Sequence, residues 1–245
     1  MSLQLTVLQV YSKLFLSLFG WFLISPLPIY AGGVEITNYG HSSLLIKGGG
    51  KKILINPFKA IGCASGLKEP NVSVNLILAS SQLADEGARV AKGVFLVEPG
   101  SYRIGNMKIE GFPVAHDRVG GRRFGQGTIW QWKQSGLNFA HLGGVAGPLG
   151  QKERILLGRP DILIIAVGGG PKVYNAKEAA HIVKVLNPHR VIPVQYFTKN
   201  SPKECKLNGV EPFISMLEGS QVKEVGKIFS FSKRNLENIT ITLFE

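Results

Sequence analysis

The chain has 245 residues, of which 44% are hydrophobic and 18% charged, and this describes a globular protein with a buried core rather than a low-complexity chain. The length accommodates one large domain or two small ones. The formal net charge of +12 specifies no fold, but it favours anionic ligands, membrane surfaces or nucleic acid as partners.

Residues 1–31 match the pattern of a secretory signal peptide. Lys13 precedes an apolar run over residues 14–25, which is short for a membrane span. Two prolines then end any helix, and Ala31 supplies a small residue for cleavage. We therefore expect an exported protein in which residues 32–245 form one domain, with no stable membrane anchor after cleavage. An uncleaved anchor or a buried N-terminal helix is the alternative.

Two cysteines, Cys63 and Cys205, lie in the expected mature chain. In an exported protein an even number of cysteines favours a disulfide, whereas a cytosolic protein would keep two free thiols. Their spacing carries no metal-site signature. Their pairing therefore depends on export.

Short alternating or fully apolar runs predict a protein rich in β-strands. A first hairpin turns at the three glycines of residues 48–50. The apolar run over residues 161–167 is typical of a strand buried on both faces. The predicted strands are residues 34–39, 44–46, 52–55, 74–79, 107–112, 127–132, 137–141, 161–167 and 191–194.

The clearest helix follows Asn175, because Glu178 three positions later completes a capping box, and it ends at Asn187. Apolar residues at helical spacing form one stripe along it, so His181 on the other side is expected to face solvent. No linker, charge block or repeat divides the chain. One domain is therefore predicted.

Several of these segments, taken in order, carry a family resemblance. They are Ile36-Thr-Asn-Tyr-Gly-His-Ser-Ser-Leu-Leu-Ile46, Lys52-Ile-Leu-Ile-Asn-Pro-Phe58, the run 74–87, and Asp161-Ile-Leu-Ile-Ile-Ala-Val-Gly-Gly169 followed by the helix and Val191-Ile-Pro-Val194. Together they resemble the metallo-β-lactamase superfamily, specifically its ascorbate-6-phosphate-lactonase-like hydrolases. The resemblance implies an α/β fold, a single-domain four-layer αβ/βα sandwich with the site along one edge. It also implies that the loops carrying Cys63 and Cys205 border this cleft, which predicts a disulfide between them.

Members of that superfamily bind zinc through a His-x-His-x-Asp-His motif and through further histidines and aspartates. The equivalent stretch here is Ser81-Gln-Leu-Ala-Asp-Glu86, in which only Asp85 matches. The histidine of a later motif corresponds to His116. Three other ligand positions of the family hold residues that ligate zinc poorly or not at all: Asn56, Gly144 and Gln195.

Asp85 and His116 are too few to form a structural or catalytic zinc site. We therefore expect no resident cofactor. The alternative is a reduced site for zinc or another divalent metal, to which Glu86 and His41 would contribute. In that case Asp85 and His116 would be the catalytic residues.

Other chemistry is possible with the same residue types. Ser80 or Ser81, with His116 and Asp85, could make up a hydrolytic triad, but the chain has no Gly-x-Ser-x-Gly nucleophile elbow. Serines after a strand are usually turn residues that bond their own backbone. His141 is interpreted as a buried histidine hydrogen-bonded to the backbone.

His116 is followed by Asp-Arg-Val-Gly-Gly-Arg-Arg-Phe-Gly125, which contains three arginines and three glycines. Glycines allow close approach of the backbone, and guanidinium groups suit phosphate or carboxylate. An exposed hairpin that keeps the protein soluble is the alternative. The expected ligand-binding residues are His41, Glu86, Arg118, Arg122, Arg123 and Gln195, with His116 beside them.

Two hypotheses for function follow from these features. The first is an exported metallo-β-lactamase-fold protein that has lost most zinc ligands and binds a small anionic ligand, either without catalysis or with an altered site. The second is an active hydrolase of a small ester, lactone or phosphorylated substrate that uses a reduced metal site. Nucleic acid is not an expected partner, because no basic stripe interleaved with aromatic residues is found.

Overall fold

The computed structural model describes residues 33–233 and 239–245. The predicted signal peptide lies outside the described residues. Within those residues, no helix is long and apolar enough to cross a membrane.

The described residues form a β-rich chain with few helices. The strands are β1 Val34–Gly40, β2 Ser43–Gly48, β3 Lys51–Ile55, β4 Ser73–Leu78, β5 Lys92–Leu96, β6 Gly100–Ile104, β7 Met107–Ala115, β8 Gln126–Gln134, β9 Leu137–Leu142, β10 Ile162–Ala166, β11 Arg190–Val194, β12 Gln221–Val225, β13 Ile228–Phe231 and β14 Thr240–Phe244. The helices are α1 Gln151–Leu157, α2 Ala176–Leu186 and α3 Glu211–Ser215, with a short 3-10 helix at Gly62–Ala64.

The strands form two mixed sheets. The first has the order β13-β1-β2-β3-β4-β5, and the second the order β12-β14-β11-β10-β9-β8-β7-β6. Strands β3, β4 and β5 run parallel in the first sheet, as do β9, β10, β11, β14 and β12 in the second. The other pairs are antiparallel.

A hydrophobic core fills the space between the sheets. Ile46 and Ile53 contribute from the first sheet, and Trp130 and Phe139 from the second, all completely buried. A second core lies on the outer face of the second sheet, where the apolar stripe of α2 packs. Burial of apolar surface on both faces of the second sheet is the main force that holds this arrangement together.

The local predictions from the sequence are confirmed. Each predicted strand has a counterpart among the observed ones, and α2 starts with the expected capping box between Asn175 and Glu178. His181 is exposed, as its position on the helix predicts. The α/β sandwich expected from the resemblance is confirmed as well.

Several elements were not predicted from the sequence: the edge strands β5, β6, β12 and β13, the interior strand β14, and the helices α1 and α3. Four of the five residues of β12 are exposed, and β5 has no buried residue. Such strands lack the apolar alternation that marks a half-buried strand, because their neighbours in the sheet hold them in place.

Candidate functional site

The predicted site lies where six strands end at one edge of the sandwich. The residues that follow these strands are Asn56 after β3, 80–86 after β4, His116 after β7, 143–144 after β9, Lys172 after β10 and Gln195 after β11. The turn between β1 and β2 adds His41. Because parallel strands end at the same edge of a sheet, residues far apart in sequence meet at this edge. The structure therefore brings together most of the residues predicted from the family resemblance.

Three residues of this edge have strained backbones. His41, Asn56 and Gln195 adopt positive φ angles of 54°, 41° and 53°. Such conformations cost non-glycine residues of the order of 1–3 kcal/mol each, and they cluster at functional sites. The N–H of Gln195 donates to the carbonyl of His41 at 2.8 Å, which ties two of the three together. This strain is one reason to treat the edge as the candidate functional site.

Glu86 and His116 form a completely buried pair. Glu86 Oε1 lies 2.6 Å from His116 Nε2 and accepts a hydrogen bond from the Ser81 hydroxyl at 2.9 Å. The contact with the imidazole is close but not aligned as a hydrogen bond. Glu86 occupies the last histidine position of the family's zinc motif. A position of that motif therefore contacts the histidine of the later motif directly.

The Glu86 carboxylate also fills the space beside Gly144. A β-carbon on Gly144 would overlap Glu86 Oε2 and the Ser80 hydroxyl. The family's bridging aspartate could therefore not be placed at this position without moving Glu86. The absence of a side chain at residue 144 and the presence of a glutamate at residue 86 are sterically linked.

This linkage predicts the effect of a single methyl group. Gly144→Ala is expected to destabilise the protein by about 1–3 kcal/mol more than Gly120→Ala, because only the first substitution overpacks a buried polar cluster. The two glycines have nearly the same φ, +72° and +74°, and nothing lies within 4 Å of a β-carbon at Gly120. The backbone strain of the two substitutions is thus matched. Urea unfolding of both variants measures the difference, and equal losses would contradict the linkage.

Asn56 and His141 belong to a second buried polar cluster. The Asn56 amide donates to the Ser80 hydroxyl at 2.8 Å, and its Oδ1 accepts the Ser80 backbone N–H at 2.8 Å. His141 Nδ1 accepts the N–H of Gly143 at 3.3 Å, which agrees with its interpretation as a buried histidine bonded to the backbone. Burial lowers the pKa of His141 to about 3, so its ring is neutral near pH 7.

Asp85, the one residue that matches the family's zinc motif, binds a lysine. Lys172 Nζ donates to Asp85 Oδ2 at 2.6 Å, and about four fifths of each side chain is buried. Burial would raise the pKa of Asp85, but the charge and hydrogen bond of Lys172, with a contribution from His41, hold it below its ordinary value. Burial lowers the pKa of His41 against the opposing pull of Asp85 and Glu86. The carboxylate is therefore charged and compensated by an ammonium group.

Lys172 was not predicted from the sequence. It follows Gly168-Gly-Gly-Pro171 directly after the buried strand β10, in the loop that leads to α2. The signal available was a basic residue in a glycine-rich turn at the end of a fully buried strand. Only the fold shows that this turn faces Asp85, which is 87 residues away.

The donor set does not fit the zinc site that the fold family implies. Ligand atoms on one tetrahedral zinc, each at 2.0–2.2 Å from the metal, stand about 3.4 Å apart, whereas the Glu86 and His116 atoms are 2.6 Å apart. Lys172 holds the carboxylate of Asp85. Among residues 33–233 and 239–245, no three His, Cys, Asp or Glu side chains are grouped to hold a metal ion.

Five buried polar atoms of this edge lack a hydrogen-bond partner within the part of the chain that the structure describes. They are His41 Nε2, Glu86 Oε2, His116 Nε2, His141 Nε2 and Gln195 Oε1. Buried groups of this kind are rare in folded proteins, and each calls for an explanation such as a functional role or an unseen water or ion.

A cavity of about 470 Å³ opens beside two of these residues, His41 and Gln195. His41 and Gln195 form part of its wall, together with the Thr198–Ser201 loop and Cys63. Two lysines, Lys199 and Lys227, and one carboxylate, Glu245, also line it. Its size lies within the range of small-ligand sites.

The arginine loop, residues 117–125, is ordered by Asp117 rather than by a ligand. Asp117 accepts four backbone N–H groups at 2.8–2.9 Å, those of Val119, Gly121, Arg123 and Phe124. These hydrogen bonds outweigh desolvation and lower the pKa of Asp117 to about 2. The loop is a preformed turn with a charged carboxylate at its centre.

The three arginines of this loop have different surroundings. Arg118 forms a bidentate pair with Glu178 at 2.8 and 2.6 Å and donates to the carbonyls of Gly170 and Val173. Arg122 is exposed and its Nε donates to the carbonyl of Val119. Arg123 lies over the ring of Phe124. None of the three lines the cavity beside His41 among the residues described.

The predicted disulfide is present. Cys63 and Cys205 are bonded across 142 residues, with their Cα atoms 4.8 Å apart. The bond links the segment after β3 to the long loop that follows Gln195. Because Cys63 lines the cavity, the disulfide fixes one wall of it.

Comparison with known proteins supports the fold and gives the chain relatives. A family model described as a β-lactamase superfamily domain matches residues 35–195. A metal-dependent hydrolase from Thermococcus kodakarensis is 23% identical, with 71% of this chain and 91% of that protein covered.

Solved structures give the same result. A proposed zinc-dependent hydrolase of the metallo-β-lactamase superfamily from Thermotoga maritima superimposes with a TM-score of 0.68 at 24% identity, over 86% of this chain and 100% of that one. A metallo hydrolase from Ignicoccus hospitalis superimposes with a TM-score of 0.58 at 16% identity, over 82% of this chain and 99% of that one. The narrower resemblance to ascorbate-6-phosphate lactonases stays a prediction.

Proposed function

The chain belongs to the metallo-β-lactamase superfamily, and we propose that it binds a small anionic ligand in its cleft without a metal ion rather than acting as a zinc hydrolase. Its relatives include proteins described as metal-dependent hydrolases. Function depends on the site more than on the fold, so the residues at this edge decide between the two.

The observation that carries the proposal is the ion pair between Lys172 and Asp85. In a zinc hydrolase this aspartate would bind the metal, which supplies positive charge to the cleft. Here an ammonium group at 2.6 Å occupies the carboxylate. A lysine is a fixed point charge that cannot lower the pKa of a bound water as zinc does. The site therefore keeps a cation and loses the means to generate hydroxide.

The cavity lined by His41 and Gln195 suits a small polar anion. His41 and Gln195 present buried polar atoms without partners, and Lys199 and Lys227 add two positive charges against the one carboxylate of Glu245. The net charge of +12 adds a long-range attraction for anions. Cavity size, the excess of positive charge and the unpaired ring nitrogen of His41 thus agree with an anionic ligand, while Gln195 Oε1, an acceptor, suits a hydroxyl group of the same ligand.

Calorimetric titration with phosphate, sulfate and a sugar phosphate, at low and moderate salt, tests the binding. We expect saturable binding of at least one of them, weakened about tenfold or more by Lys199→Gln combined with Lys227→Gln, since two charged contacts are lost. The control combines Lys92→Gln with Lys133→Gln, which replace two exposed lysines outside the cavity. This variant should bind the anion with the affinity of the wild type. A loss confined to Arg122→Ala with Arg123→Ala would instead move the anion site to the arginine loop, as the sequence alone predicts.

Elemental analysis and thermal melts with added zinc test the metal-free part of the proposal. A ligand at a hundred times its dissociation constant stabilises the folded state by about 2.7 kcal/mol, which a melt detects easily. We expect no stoichiometric zinc and no zinc-dependent rise in melting temperature. A rise that His116→Ala abolishes would favour the alternative, a hydrolase with a reduced metal site.

A further inference from the structure

A second cavity, of about 370 Å³, lies on the other side of the second sheet from the core between the sheets. Its walls come from the segment after β9, which contains Ala146 and Leu149, and from Ile182 and Val185 of α2. None of the residues that line the cleft also lines this cavity. It is therefore a separate site, independent of the proposed function.

The charged and polar side chains in the wall of this cavity are paired. Arg118 and Glu178 form their bidentate pair there and cancel each other. The hydroxyl of Tyr174 donates to the carbonyl of Gly147 at 2.7 Å and is also satisfied. These contacts satisfy the polar groups of the wall and leave it largely apolar.

The rim carries two basic side chains that remain available. Arg154 of α1 is exposed, takes part in no ion pair among the described residues, and its Nε makes only a long contact, 3.4 Å, with the carbonyl of Gly150. His181 of α2 is likewise exposed. An apolar, preformed cavity with a cationic rim is complementary to a molecule with an apolar body and one anionic group.

We propose that this cavity binds a small amphipathic anion, with its chain between Leu149, Ile182 and Val185 and its carboxylate at Arg154 and His181. The volume falls within the range of ligand sites, 300–1,000 Å³. The negative side chain in the wall, Glu178, is neutralised by Arg118 and does not repel the ligand.

Decanoate serves as the probe, titrated by calorimetry below its micelle concentration. We expect one molecule to bind per chain, and uncharged 1-decanol to bind more weakly. Arg154→Gln should weaken decanoate binding about three- to tenfold, while Lys152→Gln, an exposed lysine on the same helix that does not line the cavity, should leave it unchanged.

A blocking variant tests the location. Val185 is 39% exposed, so Val185→Trp places a large ring at the mouth without disturbing the core, and it should abolish binding while the melting temperature stays close to that of the wild type. Lys199→Gln with Lys227→Gln, which alters the other cavity, should leave decanoate binding intact. Absence of saturable binding, equal losses in Arg154→Gln and Lys152→Gln, or full binding in Val185→Trp would each overturn the proposal.

Discussion

Replacing Cys63 and Cys205 together by alanine is expected to lower the free energy of unfolding by about 4–5 kcal/mol. The disulfide closes a loop of 142 residues, and cross-linking a loop of that length restricts the unfolded chain by about this amount in the chain-entropy model. Typical domains have a total stability of about 5–15 kcal/mol, so the variant would keep only part of it. Urea unfolding with and without reductant measures the loss.

The measurement with reductant separates the effect of the cross-link on stability from the effect of replacing the cysteine side chains. Reducing the wild type should reproduce most of the loss, whereas the double variant should not respond to reductant. A wild type that unfolds identically in both conditions would contradict a stabilising disulfide. Export, which the N-terminal pattern predicts, would keep this bond oxidised, because cytosolic thiols stay reduced.

The second large effect is a loss of stability on acidification that depends on His141. Burial lowers the pKa of His141 from 6.5 to about 3. Between these values the unfolded chain binds a proton that the folded protein does not, so stability falls as the pH falls through this window. The full effect is about 4–5 kcal/mol, since each pKa unit corresponds to about 1.4 kcal/mol.

His141→Gln removes the titrating ring, so its unfolding free energy should depend less on pH between about pH 6.5 and about pH 4. His181→Gln, an exposed histidine on α2, is the matched control and should keep the wild-type slope. The pKa values of Asp85 and Asp117 are lowered in the folded protein. Their stabilising contribution is therefore lost only as the pH falls below the ordinary pKa of an aspartate. This loss is the same in the wild type and in both variants. Equal slopes for His141→Gln and the wild type would contradict the assignment.

Local features were the ones that could be predicted from the sequence. The Asn175 and Glu178 capping box lies within one helical turn, and the buried strand β10 is a continuous apolar run. Both depend on residues that are close along the chain, so periodicity and spacing suffice. The edge elements β5 and β12 escaped prediction because their residues are mostly exposed and follow no clear alternation.

Contacts across the fold were not predictable. Arg118 was expected to bind an anion, yet in the structure it pairs with Glu178, 60 residues away. Arg122 and Arg123, equivalent in composition, meet no carboxylate among the described residues. Composition shows that three arginines are close together in the chain, but only tertiary packing decides which of them meets a fixed partner.

The sequence by itself led to the prediction that, of the superfamily's ligand positions, only Asp85 and His116 keep a ligand type, because the match of a residue to a motif position is read from that residue alone. It also predicted nine of the strands in chain order and supplied the two cysteines available for a disulfide. The tertiary structure alone decided the partners of these residues: Lys172 against Asp85, and Glu86 against His116 in the space beside Gly144. Ion pairs and steric exclusion act over about 3–4 Å, and such distances between residues far apart in the chain exist only once the two sheets have packed together.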